Sequence, residues 1–284
     1  MSTQMLLRLT WRAKVLTAAA VLAFLVAAPL LRAADNSEEF DTYKVRVGLF
    51  WFYSSPTGTF QDSSSGDVIN INKDLNFNNY STFNGLVDWK FTHKNHLTLT
   101  ISPFQQSRTA FLDRTIMYQG QTYNVGAAVN ANLKANLYAP GYAYDIIRRR
   151  RGHIGIGVQV DLFDTNASLT AKAQVTNGGI QQVAASGSAS LLAPIPVAGP
   201  QYRLYLTNSP RVFIEGNLYG MYLFGYGNFV STANNLGVTL NKHFSVNAGY
   251  ALGSRLVVNN NSSSDRIGIH LVQKGVLAGV EASF

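Results

Sequence analysis

Between Tyr123 and Ala139 the residues alternate one by one between two kinds of side chain. Even positions carry mainly Asn, Lys, Gly and Tyr, whereas the odd positions from Val125 onward carry only Val, Ala and Leu. In a helix these apolar positions would spread around the whole circumference, so the segment fits only a β-strand with one apolar and one polar face. A strand of a membrane barrel crosses with about nine to eleven alternating residues. This segment is long enough to cross and to project beyond.

Similar segments follow one another along the chain and are separated by turns rich in Gly, Asn and Ser. They predict strands near 43–53, 80–93, 96–112, 122–147, 153–173, 198–207, 211–227, 229–241, 243–257 and 266–284. Short connections alternate with mostly longer ones, expected near 54–79, 114–122 and 166–196, as periplasmic turns alternate with extracellular loops in bacterial barrels. We therefore predict an all-β, transmembrane, up-and-down antiparallel β-barrel of about ten strands, within a range of eight to twelve.

A soluble barrel is the alternative, because lipocalin-like barrels also alternate but place their apolar residues inside. Here the face that carries Val, Leu, Ala and Ile has no charge across several strands, while the other face carries the charged residues. An uncharged face of that extent needs a partner as large as a bilayer. Lipid is therefore the favoured environment.

The first residues have the pattern of an export signal. Arg8, Arg12 and Lys14 precede an apolar run over 15–31 that ends in small residues. A retained membrane anchor is disfavoured, because the run is short for a spanning helix and contains Pro29. We expect a signal peptide over 1–34, Sec-type export, and one barrel domain over 35–284.

Composition excludes several classes of function. The chain has 23 Lys and Arg against 15 Asp and Glu, and loss of four basic residues with the signal leaves too small an excess for nucleic-acid binding. It has no cysteine, so there is no disulfide framework, thiolate metal site or lipidated Cys. No cofactor motif is present, and we expect none to be bound.

Several charged residues fall on the predicted inward face of the strands. Opposite charges would pair and fill a narrow lumen, because about ten strands enclose far less space than the sixteen or more of open porins. Lining of a small pore is the alternative. The predicted lumen charges are Asp88, Lys90, Lys134, Asp161, Arg203, Glu215, Arg255 and Glu281.

The C-terminal segment places Val276, Ala278, Val280, Ala282 and the terminal Phe284 at every second position. This resembles the C-terminal signal of outer-membrane barrels, although Ala282 stands where an aromatic residue is usual. The resemblance implies recognition by the barrel assembly machinery, with periplasmic chaperones during export. Because Ile267, Ile269 and Leu271 are out of phase with Val276, we expect a bulge or a membrane boundary near 273–275.

Two further passages resemble a group of poorly characterised small bacterial outer-membrane β-barrels. They are GLVDWKFTHKNHL from Gly85 to Leu97 and LAPIPVAGPQYRLYLTNSPRVFIE from Leu192 to Glu215. The resemblance implies a location in the outer membrane of a Gram-negative bacterium, in contact with outer-membrane lipids and lipopolysaccharide. It implies no particular activity, and the oligomeric state stays open.

The histidines give little support to an enzyme or a metal site. His93, His96, His153 and His243 fall in predicted periplasmic turns, and the pair at 93 and 96 is predicted as a surface turn. Resemblance to the omptin proteases would imply acidic residues and an Asp–His pair at the extracellular rim, where only His270 and Asp265 fall. We therefore assign no catalytic residue and no metal ligand.

The leading functional hypothesis is a non-enzymatic outer-membrane barrel with a largely filled lumen and surface loops for binding or envelope structure. A small porin-like channel for ions or small solutes is the alternative. A rim protease or lipid hydrolase is less favoured, because a catalytic base needs an orienting partner.

The membrane barrel makes a simple prediction. The mature protein should sediment with outer membranes and migrate differently on gels before and after heating, because a closed barrel satisfies its backbone hydrogen bonds internally and resists detergent. A soluble periplasmic protein without this shift would contradict a membrane barrel.

Overall fold

The computed structural model describes residues 39–61, 66–172, 174–176, 179–182, 184–223, 227–259 and 268–284. The predicted signal peptide lies outside these ranges. Within them no helix is long and apolar enough to span a membrane.

The strands are β1 (Val45–Gln61), β2 (Ile69–Asn70), β3 (Tyr80–Lys90), β4 (Asn95–Ser102), β5 (Gln105–Phe111), β6 (Ile116–Tyr118), β7 (Gln121–Tyr123), β8 (Ala128–Arg149), β9 (Gly152–Ala171), β10 (Gln174–Thr176), β11 (Gly179–Gln182), β12 (Ala185–Tyr205), β13 (Arg211–Leu223), β14 (Gly227–Thr239), β15 (Phe244–Asn259) and β16 (Gly268–Ser283).

Antiparallel pairing closes the sheet into a barrel, because β16 pairs with β15 on one side and with β1 on the other. β4 and β5 follow one another along the same neighbour, β8, and together form one strand of the wall. The wall therefore has ten strands: β1, β3, β4 with β5, β8, β9, β12, β13, β14, β15 and β16. The predicted ten-stranded antiparallel barrel is confirmed.

The two ends of the barrel differ. The terminal end carries the start of β1, the end of β16 and the short connections at 91–94, 150–151, 206–210 and 240–243. The opposite end, called the loop end here, carries β2 and the hairpins β6–β7 and β10–β11.

Three strands are much longer than a bilayer requires. β8, β9 and β12 have 22, 20 and 21 residues, against about nine to eleven for a crossing. The loop predicted over 166–196 is therefore mostly strand. Its Gly, Asn and Ser content indicated a loop, and its prolines are compatible with a strand because proline is tolerated on a strand edge that needs no N–H donor. Within the described ranges, residues 185–197 of β12 pair with β9 only, and Pro194 and Pro196 lie in that stretch.

The outward face of these long strands changes polarity at one height. On β8 it carries Tyr144, Tyr142 and Tyr138 toward the terminal end, followed by Asn136 and Lys134 toward the loop end. The outward face of β9 changes polarity at the same height, because Tyr138 pairs with Leu162 and Asn136 pairs with Asp164. An apolar band suited to lipid therefore ends at this level, and the strands continue beyond it as an extension.

The interior changes polarity in the opposite sense. Inside the extension lies a buried apolar cluster, called the extension core here, made of Ile69, Ile71, Leu75, Phe77, Leu112, Ile116, Tyr118, Tyr123, Ala127, Val129, Ala131, Leu169, Ala171 and Ala185. The prediction that the polar residues of 124–138 face inward is wrong for this part of the strand. Lys134 lies on the outer face, with a side chain 41% exposed. The physical reason is that water surrounds the wall beyond the band, so its apolar face turns inside as in a soluble protein.

The same reversal accounts for the phase change in the last strand. No bulge interrupts β16 near 273–275, because β16 pairs with β1 without a break in register, and the alternative expectation of a membrane boundary fits the phase change. The irregularity lies across from it, on β15 between Leu252 and Ser254. Leu271 is out of phase with Val276 because it packs inward against the extension core, while Val276 faces out in the apolar band.

Two neighbouring substitutions on β9 test whether the extension core stabilises the extension. Leu169→Ala removes a buried side chain and should destabilise the extension by about 2–5 kcal/mol. Thr170→Ala changes the exposed neighbour and should have little effect. Limited proteolysis in detergent should show faster cleavage within 66–79 for Leu169→Ala alone, and the heat-dependent gel shift should persist. Equal cleavage of the two variants would contradict a stabilising extension core.

Candidate functional site

The segment before β1 folds across the terminal end of the barrel. The Phe40 amide donates to the Arg150 carbonyl at 2.9 Å, and the Lys44 amide donates to the Phe284 carbonyl at 2.6 Å. Between these anchors Asp41 and Tyr43 are buried. The segment therefore contributes side chains to the interior of the barrel.

Two arginines and two glutamates form the first part of a buried ion network. Arg46 Nη1 lies 2.7 Å from Glu215 Oε2 and 3.4 Å from Glu281 Oε1. Arg203 Nη1 lies 2.7 Å from Glu215 Oε2 and 2.9 Å from Glu281 Oε2. Each guanidinium therefore bridges both carboxylates. The four residues come from β1, β12, β13 and β16, so the contacts reach across the lumen.

Asp88 joins these four residues to the rest of the network. Its Oδ2 lies 3.2 Å from Arg46 Nη2 and accepts a 2.6 Å hydrogen bond from the Tyr43 hydroxyl. Its Oδ1 lies 2.9 Å from His96 Nδ1. The Asp88 carboxylate therefore contacts one residue of β1, one of β4 and one of the N-terminal segment.

Asp41 anchors the N-terminal segment electrostatically. Its Oδ2 lies 2.7 Å from Lys90 Nζ and 2.8 Å from His153 Nδ1. Burial alone would raise the pKa of this carboxyl, but Lys90 and His153 outweigh burial and hold the pKa well below its usual value. Asp41 is therefore ionised at neutral pH.

The two buried histidines converge on Asp145. His96 Nε2 lies 2.9 Å from Asp145 Oδ2, and His153 Nε2 lies 3.9 Å from Asp145 Oδ1. One ligand atom from each of the three residues lies within 4.8 Å of the other two. Arg148 Nη1 also approaches Asp145 Oδ2, at 3.2 Å. Among the described residues, this is the group whose donor atoms could hold a metal.

Two adjoining cavities of about 200 and 150 Å³ lie in the lumen. The first borders the ion network at Arg46 and Arg203, and the second reaches Leu271 beside the extension core. Asn217 lines both. The middle of the barrel therefore holds unfilled space between the ion network and the extension core.

The structure brings together five of the eight predicted lumen charges. Asp161 is also buried but stands apart, accepting a 2.6 Å hydrogen bond from Gln159. Lys134 instead pairs with Asp164 on the outer face, at 3.1 Å. Arg255 lies in β15, and its side chain is outside the described residues. The five in the network are Asp88, Lys90, Arg203, Glu215 and Glu281.

Sequence reasoning missed several members of the network. His96 was predicted in a surface turn, but it is 1% exposed and faces the lumen. Alternation contains the signal, since His96 shares a face with Thr98 and Thr100, opposite Leu97 and Leu99. Asp41 gives no such signal, because it precedes the first strand. The other missed members are Tyr43, Arg46, Asp145, Arg148 and His153.

The predicted rim and terminal residues are found as follows. His270 is exposed, paired in register with Thr59 on β1, and Asp265 lies outside the described residues. Val276, Ala278, Val280 and Phe284 are exposed, while Ala282 is half-buried. Their recognition by the assembly machinery stays a prediction.

Comparisons with known proteins identify the class of fold. No protein-family profile matches the chain, and no curated protein matches it. The fold is similar to that of the outer membrane protease OmpT from Escherichia coli, with 13% sequence identity, coverage of 87% of this chain and 100% of that chain, and a TM-score of 0.51. Weaker similarity links it to the translocator domain of the autotransporter NalP from Neisseria meningitidis, at 12% identity over 94% of this chain and 98% of that chain, with a TM-score of 0.39.

The attachment invasion locus protein Ail of Yersinia pestis is a further structural neighbour, at 9% identity over 83% of this chain and 99% of that chain, with a TM-score of 0.35. At these identities the likeness is one of fold and not of activity. The chain has the fold of an integral outer-membrane β-barrel.

The ion network predicts that loss of a buried cation destabilises the barrel much more than loss of an exposed one. Arg203→Ala removes one of the two cations that hold Glu215 and Glu281 in the interior, and should cost about 3–5 kcal/mol. Lys134→Ala removes an exposed pair and should cost about 0–1 kcal/mol. Urea unfolding of the refolded barrel, followed by the gel shift, measures both. A midpoint for Arg203→Ala no lower than that of Lys134→Ala would contradict a stabilising network.

Proposed function

We propose that this protein is a non-enzymatic, non-conducting barrel of the outer membrane that acts through the surface of its extension. The observation that supports this most is that both ends of the lumen are filled among the described residues. The ion network fills the terminal end, and the extension core fills the loop end. In this proposal the terminal end faces the periplasm and the extension faces the outside.

The ion network blocks the terminal end because its contacts cross the lumen in several directions. Arg46 projects from β1 and contacts carboxylates on β3, β13 and β16. His96 projects from β4 and contacts Asp88 on β3 and Asp145 on β8. Separating these charges to admit a solute would leave buried carboxylates without partners, at a cost of several kcal/mol each.

The extension core blocks the loop end by ordinary hydrophobic packing. Phe77, Tyr118 and Tyr123 are almost fully buried within it. Tyr118 and Tyr123 also donate hydrogen bonds from their hydroxyls to the carbonyls of β9 at Ala167 and Leu169, each 3.0 Å long. These rings are therefore fixed to the wall.

The outside of the extension offers the surface for recognition. Its strands carry mainly Asn, Ser and Thr outward, at positions such as Asn130, Thr170 and Ser188. Large apolar side chains stand exposed among them, including Phe111 at 72% and Val125 at 60%. Exposed apolar groups in a polar surround favour contact with another macromolecule. The apolar band below would face outer-membrane lipids and lipopolysaccharide.

A small channel is the second candidate, and the two lumen cavities favour it. Their walls include polar side chains such as Asn84, Thr100 and Gln159. Conduction would need the ion network and the extension core to open together. A rim enzyme has weaker support, since the inward positions of the described extension are largely apolar.

Conductance and thiol accessibility separate the two candidates. The chain has no cysteine, so Asn217→Cys places a single thiol against both cavities, and Ser107→Cys places one on the exposed outer face. We expect no current steps in planar bilayers, labelling of Ser107→Cys by a charged methanethiosulfonate, and labelling of Asn217→Cys only after unfolding. Current steps that fall when folded Asn217→Cys is labelled would establish a channel instead.

A further inference from the structure

We infer that His96, Asp145 and His153 bind a divalent transition-metal ion, Zn²⁺ above all, inside the terminal end of the barrel. The three residues lie on β4, β8 and β9, which are neighbours in the wall. All three are buried. The site is independent of whether the barrel conducts.

The histidines are oriented as metal ligands usually are. In both rings Nδ1 is held by a carboxylate, that of Asp88 for His96 and that of Asp41 for His153, at 2.9 and 2.8 Å. In both rings Nε2 is then directed toward Asp145. A carboxylate on one ring nitrogen fixes the ring and makes the other nitrogen a better ligand. Asp88 and Asp41 are therefore the positioning residues of this site.

Two hydrogen-bonding features point to a cation between the rings. Asp145 Oδ1 is buried and has no hydrogen-bond partner, an arrangement that calls for an ion or a further donor. Both nitrogens of His96 face carboxylate oxygens at 2.9 Å, whereas a neutral imidazole carries only one N–H. A metal between His96 Nε2 and Asp145 Oδ2 would take the place of the second proton.

The distances are close to those of a zinc site. Bonds of about 2.0–2.2 Å at tetrahedral angles put ligand atoms about 3.3 Å apart. The separations from Asp145 to His96 and His153 are 2.9 and 3.9 Å, and the widest separation is within 4.8 Å. Closing the widest gap requires a movement of at most about 1.5 Å. Two nitrogens and one carboxylate favour zinc over calcium or magnesium, which prefer all-oxygen sites.

The charges around the site leave a deficit that a divalent ion would fill. The network holds six carboxylates, from Glu39, Asp41, Asp88, Asp145, Glu215 and Glu281, but only four permanent cations, from Arg46, Lys90, Arg148 and Arg203. The carboxylates therefore exceed the permanent cations by two, an excess that a divalent ion, protonated histidines or a proton on Glu281 would reduce. Lys90 and Arg148 are the nearest opposing charges, and each is itself held, by Asp41 and by Glu39.

Zinc titration of the untagged, full-length mature protein, refolded in detergent after EDTA treatment, tests the site. Calorimetry should give one Zn²⁺ per chain, and His96→Ala and His153→Ala should abolish binding. His243→Ala is the matched control, since His243 lies at the same end but bonds the Ser283 carbonyl, and it should bind as the unaltered chain does. Asp88→Asn should weaken binding by about 10–100-fold, as expected for a positioning residue.

The outcomes separate a metal site from a protonated cluster. Absence of zinc binding by the folded, unaltered protein, shown folded by its gel shift, would overturn the inference in favour of protonated histidines. Unchanged binding by His96→Ala would overturn it as well, in favour of the exposed histidines. Where the alanine variants fail to refold, Co²⁺ added to the unaltered chain decides. Visible absorption of a tetrahedral site that Zn²⁺ displaces supports the inference, and absence of that absorption overturns it.

Discussion

The buried ion network at the terminal end constrains how the strands of the barrel are aligned. Each buried carboxylate is costly to remove from water unless cations and hydrogen-bond donors surround it, and here the partners come from strands far apart in sequence. Arg46 and Glu215 are 169 residues apart, and Arg46 and Glu281 are 235 apart. Because these contacts need their strands at one height, the network favours a single register around the wall. The N-terminal segment joins the same network through Asp41.

The wall of the barrel is built for two different solvents. Where lipid surrounds it, tyrosine and aliphatic side chains face out and polar groups face a narrow lumen. Where water surrounds it, Asn, Ser and Thr face out and an apolar core fills the inside. On β8 and β9 the pairing continues through the boundary between Asn136 and Tyr138, so on these strands the change is made by the choice of side chain alone. Both halves obey one rule, which is that apolar surface avoids water.

Alternation was sufficient to predict the ten strands of the wall, although not the full length of β12, because a two-residue period survives whichever solvent lies outside. It was not sufficient to predict which face is inside, since that depends on height above the bilayer. Lys134 was placed inward for this reason, and the phase change at Leu271 left a bulge and a membrane boundary open as explanations. The structure places six of the predicted lumen charges inward, Asp161 among them, because these residues lie on strands whose outer face meets the apolar band. Asp41 and the convergence of His96 with His153 could not be predicted, because strand register and the course of the N-terminal segment bring them together.

The prolines of β12 affect how the extension can associate with other molecules. Residues 185–197 pair with β9 but have no strand partner toward β13 among the described residues. A free edge of that kind invites a strand from another molecule to add to the sheet. Pro194 and Pro196 are two residues apart and therefore point the same way, and neither offers an N–H toward that open side. An incoming strand would lack those backbone hydrogen bonds. The two prolines therefore disfavour growth of the extension into a continuous sheet with a second molecule.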